Sequence, residues 1–435
     1  MREQQRRDGT PGGMVRRTAA FVCSIALLVL IAACNEAPNE VGSELAPESV
    51  NATTISSLTV PLFTVDSTIH NPTFNYNQGF LYIGSTPTYK ATTILRFTNL
   101  PDTLRTITAQ QIESATLLMK PRRYVFGDST ANQLAFDVVR LTKPFVVNDT
   151  GNTIKFVPRW NDLFNTDGTP KPDYFSPLPI ASFSGTIPLD SALPDLELPV
   201  NDEGKTLIAE WLRNFADSSK RQLVYGIGFV PKLTSTVVRQ FSSNTLNQTL
   251  PNIRMRVFYR NAAGVRDSLL LVSGNDMTLA DAPALPNEFF TVQSLVTRSA
   301  RMYFDVSSIP KLNSILSARL ILTVDTTRYR AGNIRPNNTD SATSHVVQLT
   351  YLSSRRTAGY LGRRQSGSDK IIFDNVPRVI EGALYDDNGK GYVTISPVNT
   401  VGCEQMAIYN FTADSTKRPK LIITHVSRPT FGGKK

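Results

Sequence analysis

Cysteine and histidine are almost missing from this chain, with 3 of each in 435 residues, and tryptophan occurs twice. So few thiols exclude the disulfide framework by which small secreted domains stand in for a core. His70, His345 and His425 are far apart, and no HExxH or Cys/His grouping offers metal spacing. There is no GxSxG elbow, no P-loop, and no serine with a persuasive His/Asp pair. Cys403, alone in NTVGCEQMAIY beside an apolar strand, reads as a small buried residue rather than a nucleophile. No catalytic residue, no metal and no cofactor is therefore expected. A long hydrophobic run is missing too. The longest uncharged apolar stretch, residues 18–33, falls short of the ~20 residues a membrane-spanning helix needs.

That short run nevertheless sets an address. Arg2, Arg6, Arg7, Arg16 and Arg17 precede it, as in the basic region of a signal peptide, and it ends Ile31-Ala32-Ala33-Cys34. The ending resembles the lipobox of bacterial lipoproteins. The resemblance implies cleavage before Cys34, a diacylglycerol on its thiol and an acylated amine. Cys23 follows the bulky Phe21-Val22, so only Cys34 fits. The alternatives are an ordinary signal peptide cut after Ala33 and an uncleaved anchor. At ~0.8 kcal/mol per buried methylene, two or three acyl chains hold a protein on a bilayer. Asn35, where aspartate would mark inner-membrane retention, favours the outer membrane. Residues 1–33 thus read as signal peptide. Residues 34–57, with Glu36, Glu40, Glu44 and Glu48 and little to bury, read as a flexible acidic tether.

Past the tether, runs of Val, Ile, Thr, Leu, Phe and Tyr alternate with Pro, Gly, Asn and Asp, the pattern of an all-β protein. Only NDEGKTLIAEWLRNFAD looks helical. Asn201 or Asp202 is its cap, and Leu207, Ile208, Trp211, Leu212 and Phe215 form its apolar stripe. Charge is uneven: residues 34–260 hold 20 basic and 20 acidic side chains, residues 261–435 hold 21 and 14. Self-similarity is the stronger signal. ILRFTNLP at 94–101 resembles RMYFDVSSIP at 301–310, ESATLLMK at 113–120 resembles LSARLILT at 316–323, and VVRLT at 138–142 is nearly repeated as VVQLT at 346–350. Each half closes on a proline and a strand, LPNIRMRVFY and RPKLIITHV. FVPRWNDLFNTDGTPKPDYFSPLPIAS, from residue 156, looks like a surface loop inserted into the first copy, and the second copy lacks a clear helix.

These blocks resemble DNRLRE-type domains, which are similar to a jelly-roll carbohydrate-binding module family associated with alginate, although that six-letter string does not occur here. The resemblance covers about two thirds of the chain after residue 33 and implies two tandem jelly-roll-like antiparallel β-sandwich domains. They are placed at 58–262, with the loop and one short helix, and at 263–428, before a basic tail at 429–435.

Two basic loops of the second copy are the candidate ligand site. One carries Arg328, Tyr329, Arg330 and Arg335, the other Arg355, Arg356, Tyr360, Arg363 and Arg364. Guanidinium forks take carboxylate or sulfate bidentately, and an aromatic face suits a sugar ring. In a sandwich such loops can converge at one end; the bland alternative is a pair of solvated loops. YDDNGKG, with Asp386, Asp387 and Asn388, is either a turn or a set of calcium ligands. The expected protein is a lipid-anchored envelope component, probing polysaccharide or another anionic surface polymer without catalysis. Its partners are the membrane, through the lipid, and that polymer; nucleic acid is excluded by the address. The rivals are a structural or adhesive component that meets other envelope proteins and, behind it, a carbohydrate-active enzyme with facing carboxylates ~5–10 Å apart.

Overall fold

The computed structural model describes residues 52–70, 79–145, 147–148, 154–156, 158–190, 193–243, 253–282, 285–295, 298–333, 346–364, 367–398 and 402–427. Cys34, the signal peptide, most of the tether, Arg335, His345 and the 429–435 tail lie outside them. Residues Thr53–His425 form one compact unit.

The strands in chain order are β1 Ala52–Ser56, β2 Phe63–His70, β3 Phe80–Thr86, β4 Tyr89–Phe97, β5 Ile112–Met119, β6 Pro121–Gly127, β7 Gln133–Leu141, β8 Val147–Asn148 and β9 Ile154–Phe156. Helix α1 Trp160–Leu163, β10 Phe175–Thr186, β11 Leu196–Val200 and helix α2 Asp202–Ala216 follow. Next come β12 Ile227–Pro231, β13 Val237–Ser242, β14 Arg254–Arg260, β15 Arg266–Asp281, β16 Phe289–Gln293, β17 Arg298–Asp305 and β18 Ser314–Thr323. The last are β19 Val346–Leu352, β20 Thr357–Arg363, β21 Lys370–Phe373, helix α3 Pro377–Asp386, β22 Lys390–Pro397, β23 Gln405–Tyr409 and β24 Lys420–Val426.

The fold is all-β, built from antiparallel sheets that face each other as sandwiches. In the first sandwich, β10-β7-β12-β4-β15 faces β15-β14-β5-β11, and β15 serves both by bending where its register shifts between Ser273 and Asn275. Such bulges let one strand turn a corner. Leu95, Phe97, Phe136 and Phe229 from one sheet meet Leu117, Met119, Met255 and Val257 from the other. Helix α2 closes one end. The Asn201 side chain accepts the Gly204 amide at 3.1 Å, as a cap should, and Trp211 packs 5.6 Å from Phe97. Each large apolar side chain so buried contributes about 1.5–3 kcal/mol. In the second sandwich, β20-β19-β22-β17-β2 faces β1-β24-β18-β21, around Met302, Phe304, Leu320, Leu349 and Ile395.

The strands that open the two expected repeats are exchanged. The strand that opens each repeat lies in the other repeat's sandwich. Opening the first repeat, β2 pairs β17, with Ser299 opposite Ile69 and Arg301 opposite Ser67. Residue 57 bonds to Leu421 at 2.9 Å, and Thr54 to Thr424 at 3.0 Å. Opening the second repeat, β15 pairs β14 and β4 instead. The expected boundary at 262–263 therefore falls inside a hairpin rather than at a linker. Asn261 accepts the amides of Ala263 and Val265, and Gly264, at φ +75, completes the reversal. A four-residue turn closes at far less entropy than a long loop, so β15 stays beside the strand it has just left. Residues 52–56, expected in the tether, are strand for the same reason: they fill the second sandwich.

Other expectations shift with the packing. The second repeat has its helix, α3, with Pro377 at its start and Val379, Ile380, Ala383 and Leu384 buried at helical spacing. The supposed surface loop is anchored: Trp160, Leu163 and Phe164 are buried, and residues from Phe175 onward form β10, paired with β7. His70 ends β2 rather than lying in a loop. In VVRLT, Val139 and Leu141 face outward, whereas Val347 and Leu349 of VVQLT face the core. The letters match one residue out of phase, and in a strand that exchanges the two faces.

Candidate functional site

Among the described residues the two basic loops meet where Arg364 stacks on Tyr329, and the hairpin carries Arg355 and Arg356 away from that contact. Arg355 and Arg356 occupy the turn of the β19–β20 hairpin, while Arg363 and Arg364 lie at its other end, seven residues or roughly 20 Å away. At the turn, Arg356 pairs with the nearly sealed carboxylate of Asp386 at 3.1 Å, and the Ser353 hydroxyl also donates to Asp386. Tyr360 is half-buried and packs toward the second core, which pushes its phenol up. At the far end, Arg364 lies 4.8 Å over the Tyr329 ring, and burial raises that phenol to about 12 against the pull of the guanidinium. Arg328 covers the Phe289 ring at 5.2 Å and pairs with Asp325 at 3.3 Å. Arg330 donates to the carbonyls of Thr327 and Tyr329 at 2.7 and 2.9 Å. Most of the nine candidates thus hold their own loops together.

YDDNGKG is the end of α3. Asp387 accepts the Tyr351 hydroxyl at 3.1 Å, Asn388 accepts Lys311 at 2.9 Å, and Asn388 and Gly389 take the positive φ of the reversal. Among the described residues no grouping of acids, His and Cys could hold a metal ion. Cys403 is fully buried; desolvation, with Glu404 beside it, pushes its thiol well above the ordinary value and keeps it protonated.

An open surface of polar and aromatic side chains lies on the outer face of β20-β19-β22-β17-β2. Along β17, Ala300, Met302 and Phe304 point into the core. By the alternation of a strand, Arg301 and Tyr303 point out. Opposite them on β22, Tyr392 and Thr394 do the same. The Tyr303 and Tyr392 rings sit 5.4 Å apart, and the Arg301 guanidinium lies 4.5 Å over Tyr392, with its Nε sealed from solvent and lacking an acceptor. Thr350 and Gln348 of β19 continue the face to Leu361, 68% exposed, and to Arg363 of β20. Among the described residues, Arg363 is the one candidate arginine on this surface.

At the β2 end, the tyrosine pair forms one wall of a cavity of about 690 Å³, which also has Leu352, Ser353, Asp387 and Lys390 in its lining. Asp305, at its edge, accepts the amide and hydroxyl of Ser307 and is held below the usual carboxylate range by them. A sugar ring can lay its C–H face on such an aromatic wall while donors and acceptors around it take its hydroxyls.

The matching face of the first sandwich is closed. Ile94, Val139, Leu141 and Met277 make it apolar, and Trp160, Phe164 and Phe175 cover it. Trp160 and Phe164 stack at 4.1 Å. The repeat alignment puts Ile94 where the second copy has Arg301, so the two faces diverged in chemistry as well as in cover. The alternation in RMYF already separates Arg301 and Tyr303 from Met302 and Phe304; that signal could have found the face, whereas the density of arginine drew attention to the loops.

No helix among the described residues is long and apolar enough to cross a membrane. No family model and no curated protein matches the chain. Among solved structures, it is similar to a Parabacteroides distasonis ATCC 8503 protein provisionally classed as secreted, at 7% identity over 88% of this chain and 91% of that one, TM-score 0.18. It is also similar to a structure of the infectious bursal disease virus Gx strain, at 10% identity over 87% and 78%, TM-score 0.13. At such scores the backbones do not superpose, and the sandwich description rests on the pairing and cores above.

Proposed function

We propose that this is a lipid-anchored cell-envelope protein, attached through Cys34 to the outer membrane, which binds polysaccharide or another anionic surface polymer without turning it over. The observation that carries the reading is the outer face of the second sandwich, with Tyr303, Tyr392 and Arg301 at its centre and Arg363 at its edge. Two rings and a stacked guanidinium on a rigid sheet are preorganised, so little side-chain entropy is lost when a sugar docks. The positive charge beside them favours an acidic unit. Cleavage is a weaker reading: a glycosidase needs a carboxyl raised in pKa to act as general acid, and Asp305 is held low by Ser307.

The test is retention of the purified protein on immobilised acidic and neutral polysaccharides at low and high salt. Tyr303→Ala with Tyr392→Ala should abolish retention, and Arg301→Gln should weaken it mainly on the acidic polymers. Arg355→Ser with Arg356→Ser, at the hairpin turn, should leave it intact. Retention on no glycan would discard the reading in favour of a structural or adhesive envelope component.

A further inference from the structure

We propose a second ligand site, separate from the tyrosine face: a cleft of about 660 Å³ that takes a single acidic sugar unit, a hydroxylated ring bearing one oxyanion. Its walls are the turn at 85–90, the corner at 126–128, the turn at 233–236 and the segment 330–331. The cleft therefore joins elements of both sandwiches.

Its framework is rigid. Segment 330–333 is stitched to the second sandwich by two backbone bonds between Arg330 and Gln405, both 2.9 Å. It is stitched to the first by Asn333, which bonds Val125 through backbone and side chain at 2.9 Å each and the Arg123 carbonyl at 3.0 Å. Gly332 runs against the Tyr124 ring so closely that a Cβ would lie 2.2 Å from a ring carbon. On the opposite wall the hydroxyls of Ser235 and Thr236 are committed to the backbone of residues 135 and 133.

What the framework leaves uncommitted is a recognition set. Arg330 spends Nη1 on its own turn, and its Nε and Nη2 have no partner among the described residues. Lys90 donates to the Asp167 carbonyl at 3.3 Å and lies in the field of that residue's carboxylate. Asp128 uses Oδ1 on the amides of Thr130 and Ala131, leaving Oδ2 open. Among the described residues no hydrogen bond engages the hydroxyls of Thr88 and Thr234. Pro87, Phe126 and Leu233, the last 77% exposed, supply an apolar patch. The Arg330 guanidinium, with two nitrogens uncommitted among the described residues, matches one oxyanion. The free carboxylate oxygen and hydroxyls match vicinal ring hydroxyls, and the patch matches a ring's C–H face.

The experiment is saturation-transfer NMR and calorimetry on the full chain with glucuronate, glucose and the peptide N-acetyl-alanyl-alanine as probes. Glucuronate should bind, glucose about tenfold or more weaker, because one charge-assisted bond is lost. Thr234→Trp, an exposed change that touches no hydrogen bond, should block glucuronate, and Arg330→Met should weaken it at least tenfold. Each measurement is made in the Tyr303→Ala/Tyr392→Ala background, so that the glucuronate signal read belongs to this cleft and not to the tyrosine face. Undiminished glucuronate binding in Thr234→Trp, equal binding of glucose, or no glucuronate binding would each overturn the proposal. Binding of the peptide in place of glucuronate would do so too, and would reassign the cleft to a polypeptide carboxylate.

Discussion

Glu404 offers the sharpest test of how the two sandwiches are joined. It sits beside segment 330–333, where its Oε1 accepts the Tyr124 hydroxyl at 3.1 Å and its carboxyl is sealed from solvent. Burial raises its carboxyl to about 7. Unfolded, a glutamate titrates near ~4.3. The folded state therefore holds the proton more tightly, so its stabilising contribution is complete below pH ~4.3, declines as pH rises through about 7, and is constant above that. At 1.36 kcal/mol per pKa unit the full span is about 4 kcal/mol. Glu404→Gln keeps the shape and removes the titration. In urea unfolding followed by far-UV circular dichroism, the native protein should lose on the order of 2–3 kcal/mol between pH 5 and pH 8 relative to the variant. At pH 8 the variant should be the more stable of the two. The carboxylates held low, Asp167, Asp217, Asp305 and Asp414, titrate below this window and are common to both proteins. Parallel stability curves for the two proteins would refute the buried, proton-holding carboxyl.

Other outcomes follow from the same contacts. A single nick between Ala262 and Ala263 should leave the two pieces bound to each other, and fragments 1–262 and 263–435 should each misfold alone and recover on mixing; separate, folded halves would contradict the strand exchange. Trp160→Ala should cost about 3 kcal/mol or more of stability, as expected for a buried aromatic, and a change in melting temperature within error would show that the inserted segment is not anchored on Ile94 and Met277. Cys34→Ser should release the protein from membranes in a fractionation assay, and continued tight attachment would remove the lipid from the proposal.

Much of this architecture is written in local pattern. The α2 stripe with its Asn201 cap, and the core phases of ILRF against RMYF and ESATLL against LSARLI, follow from periodicity and cap chemistry, which act over a few residues. What escaped is non-local. NAAG at 261–264 reads equally as linker or hairpin, and only the partner of β15 decides. VVRLT and VVQLT share letters without sharing a register, because a pentapeptide does not record which face is wet. Arginine density marked residues 328–330 and 355–364, yet a hairpin holds its two ends apart however dense the charge. The tyrosine face was hidden because Tyr303 and Tyr392 are distant in sequence and interleaved with core residues.

The exchange of opening strands has a mechanical meaning. The chain enters the folded body at residue 53 and leaves it near 425, and those two ends are paired with each other. Residues 54 and 57 lie opposite 424 and 421. A pull arriving from the N-terminal side therefore meets the end of the chain before it meets the middle. To reach the first sandwich it must first strip β1 and β2 out of the second. The two sandwiches thus resist as one knotless clasp, in which the first cannot be reached from the N-terminal side while the second holds.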